Sequence, residues 1–162
     1  PFDNRPIVWR DKNSAGYFQP HGNIARHGAL SENPRTWSGQ KAVWSARLIV
    51  GFKRRGKKPA TLNMLVRIVK RVRTQQIGDP SSSFLAQRGL YRHNDTGEIV
   101  DEPGAQVILI DTHGTPPKTF EQQAEELAEI IARELDQAEV IVEVQKNGVS
   151  QSVFGVGAWS QS

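Results

Sequence analysis

Cysteine is absent from the 162 residues, and methionine occurs once. Without a thiol there is no disulfide framework, no cysteine zinc site, no iron–sulfur cluster and no cysteine nucleophile. Long apolar runs are missing as well: none approaches the ~18 residues that a membrane-crossing helix needs. Residues 1–30 lack the apolar core of a signal peptide. These absences lead to the expectation of a cytoplasmic protein with no membrane partner. Nucleotide and nucleophile signatures are also missing. There is no Gly-x4-Gly-Lys-Ser/Thr loop and no Gly-x-Ser-x-Gly elbow, and Gly155-x-Gly157 lacks a third glycine and does not open a helix. No cofactor is expected.

What is present is one domain's worth of chain, able to bury roughly 70% of its unfolded surface. Lys and Arg number 21 against 17 Asp and Glu, for a net charge of +4. The two signs are separated along the sequence. Gly51 to Gly78 holds nine basic residues and no acid, whereas Asp95 to Lys146 holds thirteen acids and three bases. Any functional reading has to account for both poles.

Residues 1–43 read as an irregular, aromatic-bearing N-terminal arm. Prolines and glycines break every periodicity there, yet Trp9 and Trp37 lie within it and Trp44 just beyond. Large rings need a surface to pack on, so the arm is expected to fold over the domain or onto a partner. Residues 44–162 read as an α+β sandwich. Apolar residues at 44, 46, 48, 50 and 52 alternate as in a strand. Pro59 suits a helix start, and Leu62, Leu65, Val66, Val69 and Val72 repeat at helical spacing up to Gly78.

Phe84 to His93 predicts a second strand. Asn94 to Gly97 reads as a turn, Glu98 to Asp101 as a short return, and Glu102-Pro-Gly104 as another turn. Val107 to Ile110 is an apolar run that fits a central strand. Thr119 with Gln122 predicts a capping box for a helix striped by Ala124, Leu127, Ala128, Ile131 and Leu135. Glu139 to Gln145 alternates again, and Asn147-Gly148 signals a hairpin into Val149–Val156. The order β-α-β-β-α-β plus a C-terminal hairpin strand predicts a ferredoxin-like sandwich with both helices on one sheet face.

That arrangement would set Arg67, Lys70, Arg71 and Arg73 of the first helix beside Glu125, Glu126, Glu129 and Glu134 of the second. The loop residues Lys53, Arg54, Arg55, Lys57 and Lys58 have no acid within twenty positions on either side. A nucleic acid or an acidic protein is the natural partner for such a loop. Base readout is not expected, because the central strands carry no aromatic platform apart from Phe52 at a strand end. Arg47, Ile49, Ile141 and Glu143 point to the outer sheet face, with Val107 or Leu109 adding a further apolar group. A face this apolar calls for cover by the arm or by a second subunit, so a homo-oligomer is expected.

Candidate chemistry is sparse. His21 and His27 lack a third ligand, so no metal site is expected. Asp111 and His113 lie at the end of the apolar strand, and a carboxylate that fixes an imidazole tautomer makes a general base. The reading that follows is a non-enzymatic binding and assembly module that contacts a polyanion or acidic protein through residues 53–58. The alternatives are a small cofactor-independent enzyme with an Asp111/His113 acid–base pair, or a structural subunit of a larger assembly.

Overall fold

The computed structural model describes residues 7–10, 15–27, 42–80, 83–95 and 97–157. In chain order the elements are β1 (Ile7–Arg10), β2 (Ala15–His27), β3 (Trp44–Gly51), α1 (Leu62–Ile77), β4 (Phe84–Asp95), β5 (Glu98–Ile110), α2 (Pro117–Glu134), β6 (Val140–Lys146) and β7 (Val149–Val156). From β3 to β6 they run β-α-β-β-α-β, the expected connectivity. All seven strands join one antiparallel sheet in the order β1-β2-β4-β5-β3-β6-β7. The α+β architecture is therefore as expected. Regular structure nevertheless reaches into residues assigned to the irregular arm, since β2 pairs with β4 and β1 with β2. Apart from residues 42 and 43, the remaining arm residues, Trp37 among them, lie outside the described residues.

Side-chain alternation along each strand divides the sheet into two faces. Ala46, Leu48 and Val50 of β3, Ala86 of β4, Val107 and Leu109 of β5, and Val142 and Val144 of β6 point one way, toward both helices. From α1 come Leu65, Ile68, Val69 and Val72, and from α2 Phe120, Ala124, Leu127, Ala128 and Ile131. Each large aliphatic group buried here contributes ~1.5–3 kcal/mol. Val107 and Leu109 belong to this core, not to the outer face where one of them was expected. The register Leu48↔Val107 fixes their side.

Local chemistry sets the helix ends. The Thr61 hydroxyl accepts from Met64 N at 3.2 Å, and Gly78 at φ 75 closes α1. Pro59 therefore precedes the helix and does not sit in its first turn. α2 also starts earlier than its Thr119–Gln122 signature suggests. Pro117 occupies its first turn and Pro116 its N-cap, without a side-chain cap. A proline tolerated at the first helical position explains the shift, because its missing N–H has no intrahelical partner there. Among the described residues, no helix is long and apolar enough to cross a membrane.

Candidate active site

The β4–β5 hairpin organises the outer sheet face. Its register runs from Asp95↔Glu98 through Tyr91↔Glu102 to Phe84↔Leu109, so Tyr91 stands directly opposite Glu102. Two residues along β4, His93 shares that face, and the two rings stack with centroids 4.8 Å apart. Glu102 is nearly buried, with its side chain 9% exposed. One carboxylate oxygen, Oε1, lies 2.9 Å from His93 Nε2. The other, Oε2, accepts from Lys53 N at 3.1 Å.

Glu102-Pro-Gly104 is thus strand and not the expected turn. Pro103 has no N–H to donate, yet its carbonyl accepts from Phe52 N at 2.9 Å. The Phe52 carbonyl takes its hydrogen from Ala60 N instead, at 2.7 Å. With that acceptor satisfied from the loop, a proline costs the ladder nothing further at the end of β3.

Two glycines make room for two acids. A Cβ on Gly51 would lie 2.7 Å from Glu102 Oε1, and one on Gly155 would lie 2.6 Å from the Glu139 carboxyl carbon. Glu102 and Glu139, the latter just before β6, therefore lie against bare backbone. Tyr91 feels both acids. Burial pushes its phenol above the ordinary value, and the charges of Glu139 and Glu102 push it further. With Phe18, Ile49 and Ile141, Tyr91 forms a small apolar cluster on this face.

Chemically, the patch holds a phenol that keeps its proton, an imidazole stacked on it and two carboxylates. An organic cation is the ligand such a surface attracts. A tyrosine displaced by burial together with specific charged neighbours is also what functional sites tend to show. No group of residues fit to hold a metal ion occurs among the described residues.

The residues singled out from sequence lie elsewhere or have other roles. Asp111 accepts from the backbone N of His113 at 3.1 Å, while the imidazole meets the Thr112 hydroxyl at 3.2 Å. The carboxylate thus closes a local turn and does not orient the ring. This pair follows the far end of β5, about 26 Å from Glu102 at ~3.3 Å per residue. In the basic loop, Arg55 reaches Asp136 at 3.0 Å and Arg54 Nε donates to Lys58 O at 2.8 Å. Lys53, Lys57 and Lys58 are exposed. Folding thus brings Arg55 an acid that is remote in sequence. Between the helices Arg71 pairs with Glu134, whereas Arg73 is buried and donates to Gln76 and Gln123.

Tyr91, Glu102 and Glu139 were not singled out from sequence. A signal for the first two existed. A β4–β5 hairpin was expected, and with Asp95 opposite Glu98 it reflects residue 91 onto residue 102, whereas the Asn94–Gly97 turn as read from sequence sets 91 opposite 100. Reading Glu102-Pro-Gly104 as a turn ended the return strand before that reflection reached it.

No family model and no curated protein sequence matches the chain. Solved structures do. A phage SAM lyase in its apo state is 32% identical, with 80% of this chain and 100% of that chain covered and a TM-score of 0.64. A phage SAM lyase in complex with S-methyl-5'-thioadenosine is 33% identical, with 81% and 100% covered and a TM-score of 0.63. Both are enzymes, which overturns the expectation of a non-enzymatic binding and assembly module and favours the enzyme alternative. Similarity at this level over the whole of each matched chain has one consequence for identity: the protein belongs to the phage SAM lyase family.

Proposed function

We propose that the protein cleaves S-adenosylmethionine and releases S-methyl-5'-thioadenosine, using the outer sheet face around Tyr91 and Glu102. The observation that carries this reading is the 32% identity to a SAM lyase along that protein's full length. The placement of the site is supported by the buried phenol flanked by two carboxylates.

The substrate is a sulfonium, and its sulfur is the leaving atom. When the bond from sulfur to Cγ of the amino-acid chain breaks, sulfur keeps the electron pair and becomes a neutral thioether. A lyase satisfies Cγ without water. Either the substrate's own carboxylate oxygen bonds to Cγ and closes a lactone, or a carboxylate base, for which Glu102 stands on this face, takes a proton from Cβ and the freed electron pair forms an alkene. In the first route positive and negative charge cancel and no proton moves.

Apolar surroundings favour a step that annihilates charge, and Phe18, Ile49 and Ile141 supply them beside Tyr91. The Glu102 and Glu139 carboxylates draw the cationic substrate to this face. The Tyr91 hydroxyl, which keeps its proton, is a hydrogen-bond donor toward the substrate.

Substrate carrying a labelled S-methyl group tests the reading. The label is expected in S-methyl-5'-thioadenosine, with the four-carbon fragment as lactone or alkene. These two are isomers, so proton NMR and not mass separates them. Unchanged substrate, or a methyl group passed to another molecule, contradicts it.

A further inference from the structure

Resting on the reading of Glu102 as part of the SAM site, we propose that Gln137 is a positioning residue that sets the Glu102 carboxylate through the backbone of Lys53. Gln137 lies between α2 and β6 and is 5% exposed. Its amide nitrogen donates to Lys53 O at 2.8 Å and to Leu135 O at 3.1 Å, which uses both side-chain hydrogens. Lys53 N in turn donates to Glu102 Oε2. Lys53 follows the last paired residue of β3, Gly51 opposite Gly104, so its main chain lies beyond the ladder. Two side chains from remote parts of the sequence take over instead, Gln137 at the carbonyl and Glu102 at the N–H.

Gln137 and the carboxylate also border one point beside Gly51. The position of an absent Gly51 Cβ is 2.7 Å from Glu102 Oε1 and 3.0 Å from Gln137 Oε1. The amide and the carboxylate therefore converge on the same bare patch of backbone. Filling this position would suit leucine or methionine equally well. A glutamine with both donors committed is the choice that fixes a direction. The neighbouring contact of Arg55 with Asp136 ties the same loop to the same turn, but Arg55 is 64% exposed and water weakens that tether.

The test compares wild type with Gln137→Met, Gln137→Asn and, as a control on the exposed loop tip, Lys57→Gln. Amide hydrogen exchange at Lys53 reads the positioning contact without reference to activity. In Gln137→Met it is expected to quicken at least about tenfold while the β5 amides stay protected. In SAM cleavage, kcat is expected to fall about ten- to hundredfold with KM little changed, because displaced reacting groups cost rate more than binding. Gln137→Asn keeps the amide and is expected to recover part of the loss. Lys57→Gln is expected to match wild type. Unchanged exchange at Lys53, or an unchanged kcat in an active enzyme, overturns the proposal. A wild type that does not cleave SAM overturns only the underlying reading, and Lys53 exchange still decides the role of Gln137.

Discussion

Gly51 has little room to change, and what fills that room is the candidate site's own carboxylate. An added methyl would fall 2.7 Å from Glu102 Oε1 and 2.9 Å from its carboxyl carbon. Gly51→Ala must therefore displace the acid or the strand, at a cost of ~1–3 kcal/mol for overpacking. Activity is expected to suffer more than stability, with at least about tenfold lower turnover for a misplaced group. Turnover measured beside a denaturant midpoint checks this. Tyr91 gives a second prediction. Burial first, then Glu139 and Glu102, raise its phenol above the ordinary value of 10.0. The folded chain thus holds this proton after the unfolded chain has lost it. Stability is unaffected below pH ~10 and falls as pH rises above that value. Ultraviolet titration is expected to show one late phenolate transition that disappears in Tyr91→Phe. A Tyr91→Phe chain with the same alkaline loss of stability would contradict the assignment.

At the scale of elements, α1 depends on its cap. Thr61 supplies the hydroxyl that accepts from Met64 N, and no acidic side chain supports the first turn. Thr61→Ala is expected to cost about 1 kcal/mol, within the range for lost N-caps, and a denaturant midpoint measures it. The helices and the strands β3, β4 and β6 were legible because each buries an apolar face, and burial writes a period into the sequence. In contrast β7, with no buried residue, was legible from the Asn147-Gly148 turn. The helix stripe Ala124, Leu127, Ala128, Ile131 matches the buried set of α2. β5 was half legible. Its second half carries continuous apolar residues, but its first half holds Glu98, Asp101, Glu102 and Pro103, a composition that reads as turn. The candidate site lies in that half, and an active surface needs polar groups where a strand pattern wants apolar ones. Glu139 and Gln137 left no local signal, since what they touch lies on strands and loops remote in sequence.

Across the whole molecule, the two charged poles of the sequence are brought together by the fold. Arg71 meets Glu134 between the helices and Arg55 meets Asp136 at the turn after α2. Exposed pairs of this kind contribute ~0–1 kcal/mol each, so they adjust register and add little stability. The stability lies in the shared core of sheet and helices. Leu127, fully buried there, is expected to cost about 2–5 kcal/mol on change to Ala, well above any surface pair. The opposite sheet face is where Tyr91, Glu102 and Glu139 gather, the face to which the proposed function assigns the chemistry. The most direct measurement is release of S-methyl-5'-thioadenosine from S-adenosylmethionine by the wild-type chain and by Glu102→Gln. Circular dichroism would first show that both are folded. The account predicts release by the wild type and at least about hundredfold slower release by the variant. Equal rates from the two proteins, or no release by the wild type, would contradict it.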